Sequence, residues 1–217
     1  MRSTIARRAG LAGTLAVAAL AVAAPAEAAP PPGAADIGSA EFTKAGATIE
    51  VPPQGPCSLS GPTSATAQPI AKPGLAFGGG TSSCTTTVTD PDTNTTTTKS
   101  TATGKSFELS ALTSAGGPRI RLSGYTVTCD ATQTQSSANW TYGGISGIPN
   151  PPSPVPAGYV SPIRKADGTV LANAVFNTQD LPGDGSVALT MLRIDFLPAS
   201  GLSGQVTVGH TSCSPTP

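Results

Sequence analysis

TVLANAVFNTQDLPGDGSVALTMLRIDFLPASGLSGQVTVGHTSC, residues 169–213, is the stretch whose spacing decides the fold. Apolar side chains recur there at alternate positions in three runs, Thr169 to Thr178, Ser186 to Leu197 and Gln205 to Cys213. A period of two is the signature of strands. Pro182-Gly183-Asp184-Gly185 and Ser200 to Gly204 supply the turns between the runs, and Asp167-Gly168 supplies one before the first. Links this short join antiparallel neighbours, so the segment reads as a meander. In the long middle run the apolar face switches. Val187, Leu189 and Met191 lie on one side, and Leu192, Ile194 and Phe196 on the other. A β-bulge near Met191 reconciles the two halves and leaves Arg193 and Asp195 pointing to water. A second bulge at Gly209 lets Cys213 follow Val206 and Val208 inward while His210 turns outward.

The same pattern extends upstream. Ile120 and Leu122 share a face that Tyr125, Val127 and Cys129 keep only if one residue is inserted, and Gly124 is the natural insertion. Thr85 to Thr89 and Asn94 to Thr98 flank the turn Asp90-Pro91-Asp92-Thr93. Both halves of that hairpin are β-branched but polar, so it projects into solvent or sits at a sheet edge. Glu41 to Val51 reads as a first strand that Pro52-Pro53 ends. Residues 149–156 hold five prolines in eight positions and form an extended connection between two parts of the fold.

No stretch after the N-terminus carries apolar residues at the three-and-four spacing that a helix buries. Charged residues are only 11% of the chain, while Gly and Pro number 25 and 22. Turn-rich, sparsely charged and strand-patterned, the chain is expected to be all-β. Its expected architecture is an antiparallel β-sandwich, Ig-like or jelly-roll-like, stapled by disulfides. Three segments are expected: a signal peptide at 1–28, a disordered lead of mostly Ala, Pro and Gly at 29–40, and one secreted domain at 41–217.

Arg2, Arg7 and Arg8 precede an uncharged run from Ala9 to Pro25, and Ala26-Glu27-Ala28 places small residues where a signal peptidase reads. The apolar run is shorter than the roughly twenty residues a membrane span needs. Cleavage is therefore expected to leave no membrane segment. The residues after Arg7-Arg8 fit the twin-arginine route poorly, so general secretion is favoured. Export places Cys57, Cys84, Cys129 and Cys213 where disulfides persist. Four cysteines allow three pairings. The preferred one joins Cys57 to Cys84, which flank a loop-rich segment, and Cys129 to Cys213, which end strand-like segments.

Removing residues 1–28 takes away Arg2, Arg7, Arg8 and Glu27 and leaves nine Lys and Arg against eleven Asp and Glu. With no basic cluster, nucleic-acid binding is not expected. His210 is the only histidine, and Gly201-Leu202-Ser203-Gly204-Gln205 departs from the G-x-S-x-G elbow at its last position. Gly78-Gly79-Gly80 lacks the lysine of a phosphate loop. No catalytic residue, metal site or cofactor is therefore assigned. Trp140 and Tyr142 stand at the same-face spacing of a strand and are the candidate binding residues, as a flat stacking platform for carbohydrate.

The order of features over residues 106–213 resembles the choice-of-anchor P family of secreted proteins from high-GC Gram-positive bacteria. The resemblance rests on the strand ending Tyr125-Thr126-Val127-Thr128-Cys129-Asp130-Ala131 and on the step Gly144-Ile145-Ser146-Gly147-Ile148-Pro149 into the proline-rich link. Asn177-Thr178-Gln179 stands where such proteins tend to have Asn-Glu-Gln, and Val206-Thr207-Val208-Gly209-His210-Thr211-Ser212-Cys213 resembles the family's last strand. The resemblance implies a place at the cell surface and no established catalytic activity, so it carries over no active-site residues. With no L-P-x-T-G motif in the chain, the protein is expected to be released or held non-covalently. The sequence thus predicts a secreted, non-enzymatic β-domain with a structural or interaction role. Its expected partners are cell-wall polymers or other surface proteins, with carbohydrate or envelope-polymer binding as the alternative and a secreted hydrolase behind both. Oligomeric state is not legible in it.

Overall fold

The computed structural model describes residues 32–215; the segment 1–28 expected as a signal peptide lies outside them. In chain order the strands are β1 (Gly33–Lys44), β2 (Ala47–Val51), β3 (Cys57–Ser58), β4 (Ser64–Ala67), β5 (Ile70–Lys72), β6 (Leu75–Phe77) and β7 (Gly80–Asp90). They continue with β8 (Thr95–Leu109), β9 (Ile120–Ala131), β10 (Ser136–Ser146), β11 (Tyr159–Arg164), β12 (Val170–Asp180), β13 (Val187–Phe196) and β14 (Leu202–Cys213). Short 3-10 turns at Ala111–Ala115 and Pro198–Ser200 bridge strand ends. One antiparallel sheet, A, runs β11-β12-β13-β14-β1-β2, with β3 pairing β1 as well. The other, B, runs β10-β9-β8-β6-β5, with β7 on β8 and β4 on β7. The two sheets face each other over one apolar core that includes Ile37, Phe77, Phe107, Val127, Phe176 and Ile194. The chain is an all-β antiparallel sandwich.

The meander read from residues 169–213 is present as β12, β13 and β14, and β11 precedes it across the Asp167-Gly168 turn. The Thr169 backbone N–H and hydroxyl hydrogen-bond the Asp167 carboxyl and hold it down to about 2. Both preferred disulfides form, Cys57–Cys84 and Cys129–Cys213. Each joins a strand of sheet A to a strand of sheet B. The threonine-rich hairpin is β7 and the first half of β8, and its tip is exposed, Val88 included. The proline-rich segment is the crossover from β10 of sheet B to β11 of sheet A.

The three expected bulges turn out to be parts of two creases. In β9 the buried face passes from Ile120 and Leu122 to Tyr125, Val127 and Cys129 at Gly124, which takes a left-handed φ of +62°. Pairing with β8 keeps one register on both sides of that point, Gly104 with Tyr125 and Ser106 with Ser123, and so does pairing with β10. No strand gains a residue on its neighbour, because each neighbour makes the same step opposite Gly124. Buried positions in β8 change from Ala102 and Gly104 to Phe107 and Leu109. Sheet A is creased likewise along Ile37, Gly209, Met191 and Asn177, whose flanking pairs stay in register throughout. A one-residue step reverses every side chain of a strand. When adjacent strands take it together, the ladder survives and both halves bury apolar residues on the same side. Arg193 and Asp195 do turn outward beyond the crease, where the guanidinium Nε donates to the carboxylate at 3.0 Å.

A tyrosine ties the creases together. Tyr125, next to Gly124, donates its hydroxyl proton to the Ile37 carbonyl at 2.8 Å, across the core from sheet B to sheet A. Burial pushes that hydroxyl's pKa up, so it stays a donor. Gly209 has φ +68°, and a Cβ there would stand 2.5 Å from Val127 Cγ2. Left-handed strain and overpacking act together at this position, so Gly209→Ala is expected to cost about 3 kcal/mol in urea unfolding. A loss below about 0.5 kcal/mol would mean that the crease adapts freely.

Two expectations at the N-terminus are corrected. Residues 33–40, placed in a disordered lead, form the first part of β1, which lies between β14 and β2 inside sheet A. Their small side chains are what close packing demands. A Cβ on Gly38 would meet the Thr207 carbonyl at 2.5 Å and the Phe77 ring at 2.7 Å. The partner strand β14 lies some 170 residues later in the chain, beyond the reach of local pattern. The run Glu41 to Val51 is not one strand but the hairpin β1–β2, turned at Ala45-Gly46 with φ of +50° and +79°. Alanine is a poor turn signal at positive φ, so the residue hides the turn.

Candidate functional site

β10 is the outer strand of sheet B, and its even-numbered side chains from Ser136 to Tyr142 point toward the gap between the sheets. Trp140 and Tyr142 therefore share a face, as their spacing predicts, and both are half-buried. Their ring centroids are 5.7 Å apart with planes inclined by 16°. Trp140 also lies parallel to Phe176 of β12, at 6.3 Å and 23°, and Tyr159 of β11 tilts against Phe176 at 6.4 Å. Aromatic side chains thus close the open edge of the sandwich from both sheets.

This corrects the flat two-ring platform. Rings side by side in one plane do not approach to 5.7 Å; these form an offset stack. Part of each face is turned to the other ring. Opposite them runs the proline-rich crossover, leaving a groove of about 530 Å³. Trp140, Tyr142, Pro152 and Val155 give it apolar walls, while Asn139 and Gln179 bring amides to it. Asn177 fastens the crossover. Its side-chain Nδ2 donates to the Val155 carbonyl at 3.0 Å, and its own carbonyl accepts from Gly158 N–H at 2.9 Å. Gln179 Nε2 in turn donates to Asn177 Oδ1 at 2.9 Å. Asn177 sits on the crease of sheet A with φ +55°, a conformation asparagine tolerates better than most residues. Sequence reading assigned no role to Asn177 or Gln179. Only their contact with a distant crossover reveals one.

A slightly larger groove of about 580 Å³ lies between β5, β6, β8 and β9, walled by Ile70, Ala76 and Leu122. Its carboxylate is already paired. Glu108 accepts from Arg121 Nε at 2.9 Å and from Arg119 Nη1, and these bonds, that of Arg121 foremost, hold its carboxyl below the usual carboxylate range. A ligand there would have to displace bonds already made. In the edge groove the bonds already made are those of amides, Gln179 Nε2 to Asn177 Oδ1 and Trp140 N–H to Asn139 Oδ1, and no ion pair lies among them.

His210 faces outward from sheet A, as expected, yet it has a carboxylate in reach: Nδ1 lies 3.3 Å from Asp36 Oδ2. The ladder lines up Thr190, His210 and Asp36 across β13, β14 and β1. Asp36 was invisible as a partner because it belongs to the segment read as disordered. β14 is paired on both sides here, so its N–H groups belong to the ladder rather than to an oxyanion hole. Among the described residues no three His, Cys, Asp or Glu side chains gather as metal ligands do, and no helix is long and apolar enough to cross a membrane.

Comparison with protein-family models, with curated proteins and with solved structures found no match.

Proposed function

We propose that this chain is an exported, non-enzymatic interaction domain and that its edge groove takes extended carbohydrate of a cell envelope. The observation that carries the proposal is the Trp140–Tyr142 stack facing a fastened proline-rich crossover, with Asn139 and Gln179 beside it. Sugar rings offer C–H faces to aromatic surfaces and hydroxyls to amides, and this groove supplies both kinds of wall. The two buried disulfides support a place outside a reducing cytoplasm. The N-terminal charge and hydropathy order supports export, and the resemblance to the choice-of-anchor P family belongs to the same proposal.

Trp140 is the only tryptophan, so its fluorescence reports on the groove directly. Titration with solubilised cell-wall polysaccharide is expected to change that emission saturably. In a polymer pull-down, Tyr142→Ala is expected to weaken retention about tenfold, equivalent to about 1.4 kcal/mol. No emission change and no retention on any envelope polymer would leave a structural domain rather than a binding one.

A further inference from the structure

Two backbone groups of fixed polarity decide which way the amides of the edge groove face. A carbonyl only accepts and a main-chain N–H only donates, whereas a side-chain amide accepts at one end and donates at the other. The Val155 carbonyl of the proline-rich crossover therefore takes the Nδ2 end of Asn177, at 3.0 Å. That turns Asn177 Oδ1 toward Gln179, which answers with Nε2 at 2.9 Å. Gln179 Oε1 is left without a partner among the described residues. On the other wall the Trp140 N–H takes the Oδ1 end of Asn139, at 2.7 Å. Asn139 Nδ2 is likewise left without a partner among the described residues. Asn139 and Gln179 are both exposed and both line the groove, one from β10 of sheet B and the other from β12 of sheet A. The groove thus offers a free acceptor from one sheet and a free donor from the other. Among the described residues no charged side chain lines it.

The geometry points to an N-acetylated amino sugar as the unit this groove reads, an inference that rests on carbohydrate binding there. A secondary acetamide carries an N–H for Gln179 Oε1 and a C=O for Asn139 Nδ2. In its trans form the two point in opposite directions, which suits partners on strands of two different sheets. Its methyl suits the apolar Pro152 and Val155, and the sugar ring keeps the C–H face that Trp140 and Tyr142 take. Other substituents match less well. A carboxylate only accepts, so it meets Asn139 Nδ2 and is repelled by Gln179 Oε1. An ammonium only donates, so it meets Gln179 Oε1 and confronts Asn139 Nδ2. Neither finds an opposite charge in the walls. A hydroxyl turns to suit either amide, but so does the water it displaces, and it brings no methyl.

Titration of Trp140 emission with oligosaccharides of one length and one linkage tests it. The three probes are oligomers of N-acetylglucosamine, of glucose and of glucosamine, at a mildly acid pH that keeps the free amines protonated. The N-acetylated oligomer is expected to bind roughly tenfold more tightly than the glucose oligomer, and the glucosamine oligomer most weakly. Asn139 is exposed, and Asn139→Asp keeps an acceptor for the Trp140 N–H while withdrawing the free donor. The variant is expected to lose roughly tenfold in affinity for the N-acetylated oligomer and to hold the glucose oligomer within about twofold. It is expected to gain affinity for the glucosamine oligomer, whose ammonium groups now meet a carboxylate. Equal affinity of the native protein for all three oligomers overturns the inference and leaves carbohydrate binding standing. So does an Asn139→Asp variant that keeps the native order of preference. If envelope polysaccharide changes Trp140 emission and no N-acetylated oligomer does, the acetamide reading fails alone; if no carbohydrate binds, both readings fail.

Discussion

Replacing Cys129 and Cys213 together by alanine is expected to lower the free energy of unfolding by about 4.5 kcal/mol, against about 3.5 kcal/mol for Cys57 and Cys84. The difference comes from chain length. The first bond closes a separation of 84 residues and the second one of 27, and a longer loop gives the unfolded chain more freedom to lose. Both bonds run from one sheet to the other, Cys129 in β9 to Cys213 in β14 and Cys57 in β3 to Cys84 in β7. Neither is replaceable by ladder pairing, which acts only within a sheet. Urea unfolding of the two double variants under non-reducing conditions gives the comparison. A larger loss for the Cys57–Cys84 pair would show that native packing around it, rather than loop entropy, sets its contribution.

Phe176→Ala is expected to cost about 4 kcal/mol, within the range for emptying a buried phenylalanine site. Phe176 is 1% exposed and stands between the Trp140 stack and Tyr159. Its loss removes core volume and also the support behind the groove. The same variant is therefore expected to shift Trp140 emission to the red as the indole gains water. Equilibrium unfolding followed by that single fluorophore measures both effects. A full loss of stability with unchanged native emission would mean that Trp140 is held by β10 and the crossover alone.

These expectations differ in how far the sequence foresaw them. The strands of residues 169–213 were legible because a period of two and short polar turns are local properties. The pairing of cysteines was open by count and favoured by their places, Cys57 and Cys84 flanking a loop-rich segment and Cys129 and Cys213 ending strand-like ones. The face switches at Gly124, Met191 and Gly209 were also visible, each as a break in alternation. Their meaning was not. A lone strand that switches face implies an extra residue against its neighbour, whereas neighbours that switch together imply none, and that comparison needs the register. β1 was missed for the opposite reason. Its glycines and alanines look like slack chain until Thr207 and Phe77 are seen pressed against Gly38.

The candidate site divides the same way. Trp140 and Tyr142 announced a shared face by their spacing, and the structure puts them on one. That they stack on each other, that Phe176 continues the stack, and that Asn177 fastens the proline-rich crossover opposite them depend on β10, β12 and residues 149–158 meeting at one edge. By itself the sequence determined strand content, turn positions and the class of the fold, because alternation and turn chemistry act over a few residues. The tertiary structure decided which strands are neighbours, where the sheets crease and what surrounds Trp140, because those depend on contacts between residues far apart in the chain.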